Sequence, residues 1–401
     1  MPLVRVVVVD DSEIVAEALT RILTADGAIQ IVGVANDGAT AIEMVERLRP
    51  DLVTMDLQMP IMGGLDAIEK IMAYTPTPIL VITGESDGES YTFQALARGA
   101  LDLVLKPPLN VPNSPLHSEL RRKVQLLSSI PVVQHVEGRR RDRRAQVSDR
   151  MPRARSGEGR IVAIVASTGG PQALPWVLAP LPADFPIGIA IVQHITDGFT
   201  DGLARWLDSM CQIEVKIPEA GEKLSAGQAF IAPAGCHMRI DENSRVVLDA
   251  GPPVGGHLPS GDVLMQSVAE SFGSRAIGVI LTGMQRDGAL GLKCIHDAGG
   301  MTIAQDEETS VVFGMPRAAI ELGAVDKVQP IDSMARTLAI AAGVPGGISS
   351  TRLPALDGGS RPGASSSGAS WRVTPLSEDL PGKRPKRAGV DSQGRKEKPE
   401  R

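Results

Sequence analysis

The stretch AIVASTGGPQALPW, Ala163–Trp176, begins as an apolar run and passes at once through a serine, a threonine and two glycines into a proline-started segment. Strand, tight turn and helix is the reading, because Gly permits the turn and Pro is at home in the first turn of a helix. The same grammar recurs around it: RIVAIVAS (Arg160–Ser167), IGIAIVQH (Ile187–His194), QAFIAPAG (Gln228–Gly235) and AIGVILTG (Ala276–Gly283) are apolar runs that each stop at Gly or a polar residue. Nearer the N-terminus, VRVVVVDD (Val4–Asp11), IQIVGVA (Ile29–Ala35), DLVTMD (Asp51–Asp56), TPILVIT (Thr77–Thr83) and LDLVLK (Leu101–Lys106) repeat it, separated by pieces of helical spacing such as SEIVAEALTRILTAD (Ser12–Asp26). Apolar runs without polar alternation are strands buried on both faces, and strands alternating with helices build parallel sheets. The fold class is therefore α/β: two doubly wound parallel-sheet domains joined by a long Arg-rich linker and followed by a disordered tail. The boundaries fall at 1–108 for the first domain, 109–158 for a helix and linker, 159–344 for the second domain and 345–401 for the tail.

Charge separates these parts. The chain carries −6 overall, yet GRRRDRRAQVSDRMPRARSGEGR (Gly138–Arg160) is +6 and KRPKRAGVDSQGRKEKPER (Lys383–Arg401) is +5, which leaves −17 for everything else. Acidic folded parts argue against a nucleic-acid-binding surface, and the two basic segments read as a solvated linker and tail. From Pro345 onward the chain is rich in Gly, Ser and Pro with few large apolar residues, so it cannot repay the entropy of ordering. Aromatic residues make up only 3%, so Val, Ile, Leu, Ala and Met must build the cores. Cys211, Cys236 and Cys294 are scattered and odd in number, which suits reduced thiols. The N-terminus opens on a strand pattern without a leader, and no apolar run approaches the ~20 residues of a membrane helix, so a soluble cytoplasmic protein is expected.

Ligands of open parallel sheets bind beyond the carboxyl ends of the strands. In the first domain those ends carry Asp10 and Asp11, then Asp56, Thr83 and Lys106. Three converging carboxylates repel unless a cation sits among them, and hard oxygen ligands suit Mg²⁺, while Lys106 and Thr83 supply donors for an added phosphoryl group. In the second domain the ends carry Ser167, His194 and, within the GMQRDG segment, Asp287: candidates for a nucleophile, a base and an orienting carboxylate on one sheet edge. Taken alone, Ser167 reads first as a helix cap, because Ser at a strand-to-helix junction ordinarily accepts from unpaired backbone N–H groups. If it is a nucleophile, the N–H groups of Thr168, Gly169 and Gly170 face the developing negative charge. The turn departs from G-x-S-x-G, since Val165 stands at the first glycine position. His117 and His135 lie in the helix and linker region and His296 in a helix, whereas His237 and His257 compete with His194 on spacing alone.

Met1–Pro108, with its acidic pair, Asp56, Met59-Pro60, Gly64, Thr83 and Lys106, resembles a response-regulator receiver domain. The resemblance implies a flavodoxin-like fold in which Asp56 is the phosphoacceptor, Asp10 and Asp11 hold the metal with it, Thr83 is the switch hydroxyl and Lys106 contacts the phosphoryl group. Gly63 stands where the family usually has an acid, and Leu103 where an aromatic switch residue is common. Gly159–Val344 is similar to the catalytic domain of chemotaxis protein-glutamate methylesterases in ASTGGP, VQHI, FIAPAGCHM, HLPSGDVL, LTGMQRDG and AQDEETSVVFGMPRAA. That resemblance implies a Rossmann-like domain with Ser167 as nucleophile, His194 as base, Asp287 as orienting carboxylate, and Thr168 and Met284 near the oxyanion. It also implies hydrolysis of glutamate γ-methyl esters on chemoreceptor cytoplasmic helices, deamidation of receptor glutamines, a histidine kinase as phosphodonor, no cofactor for the esterase, and a receiver that covers the catalytic edge until phosphorylated. Gln285 replaces a glycine usual in relatives and is expected at positive φ in a strained but intact loop. Two other functions compete: a receptor- or kinase-binding scaffold of weak activity, suggested by Val165 and Gln285, and a DNA-binding response regulator, suggested by the basic linker although no helix-turn-helix pattern follows the receiver in this chain.

Overall fold

A computed structural model describes residues 3–344 apart from 85–88, 109–110, 112–113, 131 and 133–158. The Arg-rich linker, His135 and the tail from 345 onward lie outside the described residues.

Five strands, β1 (Val4–Val9), β2 (Ile29–Ala35), β3 (Leu52–Met55), β4 (Ile79–Thr83) and β5 (Asp102–Leu105), form a parallel sheet in the order β2-β1-β3-β4-β5. Five helices join or follow them: α1 (Glu13–Thr24), α2 (Gly38–Leu48), α3 (Gly64–Tyr74), α4 (Glu89–Ala97) and α5 (Pro115–Leu127). Both faces are covered, and the strand sequence shows why. Along β1, Val7 and Val9 enter one apolar cluster while Val6 and Val8 enter another on the opposite face. Local chemistry sets the helix starts: the Asp37 carboxylate accepts from the N–H groups of Ala39 and Thr40 at the head of α2.

The second sheet has seven parallel strands in the order β14-β13-β12-β6-β7-β9-β8. They are β6 (Ile161–Ala166), β7 (Gly188–Gln193), β8 (Glu214–Lys216), β9 (Gln228–Ile231), β12 (Ala276–Ile280), β13 (Met301–Gln305) and β14 (Lys327–Gln329). Helices α6 (Gly170–Leu178), α7 (Thr200–Met210), α8 (Gly261–Phe272), α9 (Ala289–Asp297), α10 (Met315–Glu321) and α11 (Met334–Ala341) cover it. Alternation again divides the burial: Val162, Ile164 and Ala166 of β6 face one cluster, Ile161, Ala163 and Val165 the other. Each such Val or Ile removed from water contributes about 1.5–3 kcal/mol, which is why β6 and β7, buried at every position, form the middle of the sheet. One element departs from the doubly wound expectation. His237–Ile240 (β10) and Val246–Asp249 (β11) form an antiparallel hairpin outside the sheet, packed on α8.

Strand order reverses between β1 and β3 in the first sheet and between β6 and β12 in the second. Such switch points leave a crevice at the carboxyl edge. Both sheets fall within one compact unit, Met1–Gly358. Apolar residues of β1 and of β6 belong to one continuous cluster. The join is aromatic: the Phe93 ring of α4 stacks on Trp206 of α7 with centroids 5.6 Å apart and meets Phe199 edge-on at 6.4 Å.

Candidate functional site

Ser167 follows the last residue of β6, beside the switch point. Its N–H donates to Thr282 O at 3.0 Å, and its carbonyl accepts from Gly170 N and from Gln193 Nε2, both at 2.8 Å. Gln193 Nε2 also donates to His194 O at 2.9 Å, so one buried amide ties the backbone of Ser167 to that of His194 across two adjacent strands. The glycines are dictated by this geometry. Gly169 has φ +80° and a Cβ there would stand 2.7 Å from Val311 Cγ2, while a Cβ on Gly170 would collide with Gln193 Oε1. Two expectations are corrected here. The residue capping α6 is Gly169, with no side-chain hydrogen bond, so the Ser167 hydroxyl is not used as a cap. The Gly170 N–H does not face an oxyanion, because it closes the turn on the Ser167 carbonyl.

Asp287 and His194 form an ion-pair-grade contact, His194 Nε2 to Asp287 Oδ2 at 2.8 Å, with both side chains nearly buried. The start of α8 cradles the carboxylate: Ser260 Oγ donates to Oδ1 at 2.7 Å, Gly261 N to Oδ2 at 2.6 Å and Asp262 N to Oδ1 at 3.2 Å. Burial alone would raise the Asp287 carboxyl, but His194 and these donors hold it at about 2, so it is a fixed anion. With Nε2 committed to Asp287, His194 is left with Nδ1, which is buried and has no hydrogen-bond partner among the described residues. That nitrogen is the one left to accept a proton. Val165, the departure from G-x-S-x-G, packs against Gly261 and Gly288: a Cβ at either would press on its side chain. The glycines that this close approach requires sit on the Asp287 side of the crevice.

The competing histidines separate cleanly. His237 is buried with both ring nitrogens engaged, Nδ1 by Ser260 N at 3.1 Å and Nε2 by Pro252 O at 3.1 Å, so it supports the cradle. His257 stacks on His194 with centroids 4.1 Å apart and planes 16° apart. Burial lowers the His257 pKa, and the proximity of His194 and Arg122 lowers it further. On the other side of Ser167, a Cβ on Gly283 would stand 2.8 Å from Ser167 Cβ, so the loop carrying Met284 abuts the serine. The N–H groups of Thr168, Gly169 and Met284 donate to nothing among the described residues. Gln285 has φ 69°, as expected for a side chain in a glycine position.

At the edge of the five-stranded sheet, Lys106 Nζ lies 2.9 Å from Asp10 Oδ2 and 3.0 Å from Asp56 Oδ2. Asp56 also accepts from its neighbour Leu57 N at 2.8 Å, and Lys106 N donates to Thr83 O at 2.8 Å, which sets the two strand ends side by side. Burial raises the Asp56 carboxyl despite Lys106, whereas for Lys106 the hydrogen bonds to Asp10 and Asp56 outweigh burial and raise the ammonium. Asp10, Asp11 and Asp56 offer carboxylate oxygens within 4.8 Å of one another, with Asp11 exposed to admit water. Carboxylates at that spacing with open solvent on one side fit a hard divalent cation. Gly64 is obligatory, since a Cβ would strike the Asp56 carbonyl, but Gly63 has φ −70° and room for a side chain. Leu103 is buried in the apolar cluster with Phe93.

The edge bearing α4, β5 and α5 meets the second sheet's crevice. Besides the Phe93 stack, Gln172 Nε2 of α6 donates to Ala100 O, and Leu105 Cδ1 of β5 lies 3.8 Å from where a Gly198 Cβ would stand. Arg122 of α5 reaches Gln285. Sequence reasoning missed Ser260, Gly261, Gln193 and Arg122. Ser260 carried a signal, a serine after proline at a helix start, that was indistinguishable from ordinary capping.

Residues 162–338 match the family described as CheB methylesterase and residues 6–111 the response regulator receiver domain. A protein-glutamate methylesterase/protein-glutamine glutaminase of Anaeromyxobacter dehalogenans is 48% identical over 335 residues, covering 84% of this chain and 96% of that relative. Another, from Symbiobacterium thermophilum, is 41% identical over 360 residues, covering 85% and 97%. The crystal structure of the Thermotoga maritima CheB methylesterase catalytic domain is 41% identical with a TM-score of 0.44, covering 45% of this chain and 97% of that one.

Proposed function

Because the chain belongs to the family of receiver-bearing protein-glutamate methylesterase/protein-glutamine glutaminases, we propose that Ser167, His194 and Asp287 perform its acyl transfer under control of Asp56. The observation that carries this reading is the Asp287–His194 pair beside Ser167, with His194 Nδ1 buried and without a hydrogen-bond partner among the described residues. Ser167 Oγ attacks the γ-carbonyl of a glutamate methyl ester as its proton passes to His194 Nδ1. The charged imidazolium is stabilised by Asp287, and the oxyanion by the N–H groups of Thr168, Gly169 and Met284. Collapse expels methanol, which takes the proton from His194. Water, deprotonated by the same nitrogen, then releases the glutamate and restores Ser167. A glutamine amide follows the same path with ammonia as leaving group, and no step needs a cofactor.

The substrate is the cytoplasmic helical bundle of a chemoreceptor, so recognition is by protein surface around Ser167, and the chain works in the cytoplasm. Residues 1–108 act as the receiver, 109–158 as helix and linker, 159–344 as the esterase and 345–401 as a basic tail. In the receiver, Asp10, Asp11 and Asp56 would hold Mg²⁺, which offsets charge on the incoming phosphoryl oxygens. Asp56 takes the phosphoryl group from a histidine kinase, Lys106 pairs with it and Thr83 donates to it. The packing of α4, β5 and α5 against the catalytic edge supports masking of Ser167 until phosphorylation. Methanol release from methylated receptor membranes, measured with and without a small phosphodonor, tests the reading. Release that the donor increases is expected, and absence of methanol under both conditions would reject the enzyme in favour of a scaffold.

A further inference from the structure

Gln285 is one of four non-glycine residues at positive φ among the described residues, and it stands two positions before Asp287. A side chain stays in that region only when its surroundings hold it there. Here the backbone is pinned from behind: Gly283 N donates to Val312 O at 2.9 Å, Gly314 N to Gly283 O at 3.1 Å, and Gly314 leaves room for nothing larger, since its Cβ would lie 3.2 Å from Gln285 N. The side chain is held from in front. In the amide orientation that satisfies both neighbours, its oxygen accepts from Arg122 Nη1 at 2.9 Å and Nη2 at 3.0 Å, and its nitrogen donates to His257 Nε2 at 3.2 Å. His257 in turn lies flat on His194. Arg122 is an exposed residue of α5, which packs on the five-stranded sheet through Leu120, Val124 and Leu127, so a single amide joins that helix to the ring that lies flat on one face of His194.

We propose that Gln285 is a positioning residue: while Arg122 holds it, it pins His257 against His194 and keeps α5 over the entrance to Ser167, and displacement of α5 frees both. This rests on the reading that phosphorylation of Asp56 moves the receiver off the catalytic edge. The contact is charge-assisted and two-pronged but exposed, so its loss should shift the closed population by about three- to tenfold.

Methanol release by the full chain from methylated receptor membranes tests it. Arg122→Ala should raise the rate without donor about three- to tenfold and leave the donor-stimulated rate as in wild type. Gln285→Gly should raise the rate without donor similarly. The double variant should gain no more than either single one, because both remove the same contact. Arg122→Lys, which keeps one charged donor, should fall between wild type and Arg122→Ala. A merely structural Arg122 would lower both rates together, which overturns the proposal, as would additive gains in the double variant. A wild type indifferent to the donor would reject the regulated reading beneath it. A donor-responsive wild type with Arg122→Ala at the wild-type unstimulated rate would reject the Gln285 latch alone.

Discussion

At the carboxyl edge of the five-stranded sheet, burial raises the Asp56 carboxyl, whereas at the matching edge of the seven-stranded sheet Asp287 is held at about 2. Both aspartates are almost fully buried and both lie at a reversal of strand order. The donor set makes the difference. Asp287 receives His194, the Ser260 hydroxyl and two backbone N–H groups from the start of α8, all fixed by the fold. Asp56 receives one neighbouring N–H and shares Lys106 with Asp10, and a second buried carboxylate stands beside it. A fully satisfied carboxylate is a permanent charge suited to orienting a histidine. An under-satisfied one, crowded by like charge, is suited to an exchange in which a cation and a phosphoryl group complete its surroundings. One fold class therefore produces a fixed electrostatic part and a variable one.

The largest effects should come from breaking the fixed edge. Ser167→Ala should lower methanol release by about 10⁴-fold or more while the fold survives, since the hydroxyl has no capping role to lose. Asp287→Asn should come close to it, because an amide presents N–H where Gly261 N or Ser260 already donates and leaves the His194 tautomer unspecified. Retention of a tenth of the wild-type rate in either variant would show that the Ser167 edge is not the esterase site.

A smaller effect is expected at the variable edge. Asp56→Asn should remove the response to a small phosphodonor, and chelation of divalent metal should do the same in wild type, because the clustered carboxylates need a cation before an anion can approach. Neither treatment should approach the loss caused by Ser167→Ala. If chelation depressed release as severely as Ser167→Ala does, the proposed separation between a metal-dependent receiver and a metal-independent esterase would be broken.

The contrast also explains what could be read from sequence. Strands buried on both faces are apolar at nearly every position, Arg5 of β1 and Gln193 of β7 being the exceptions, so β1, β6, β7 and β12 and the residues that follow them are visible as runs and stops. Edge strands such as Glu214–Lys216 and Lys327–Gln329 are three residues long and polar, and β13 hides Thr302 and Gln305 in its interior by bonding them to Asp326, Thr309 and the Thr282 N–H. No periodicity marks such strands. Choosing His194 over His237 and His257 by spacing was equally out of reach, since the distinction lies in which ring nitrogens are already engaged. Resemblance supplied that choice. It could not supply the Arg122–Gln285 contact, which joins a helix of one sheet to a loop of the other and leaves no local pattern.

Each edge also carries one strained non-glycine residue, and the smallest predicted effect separates them. Ile61 has φ 67° at the centre of a tight turn closed by Met62 N to Pro60 O at 2.7 Å, and its side chain is 91% exposed. A β-branched residue in this region costs about 1–2 kcal/mol, and an exposed side chain returns little of that. Ile61→Gly should therefore stabilise the chain by about 0.5–1 kcal/mol after the extra entropy of glycine in the unfolded state is deducted. Gln285 has nearly the same φ, but its amide bonds His257 and Arg122, each such contact contributing about 0.5–1.5 kcal/mol. Gln285→Gly relieves the strain and loses the bonds, so its effect on stability should be about zero even as activity without donor rises. Denaturation midpoints of the two variants against wild type decide the matter. A stabilisation by Gln285→Gly equal to that by Ile61→Gly would mean that the Gln285 contacts contribute nothing to the folded state, and that the two loops are strained for the same reason.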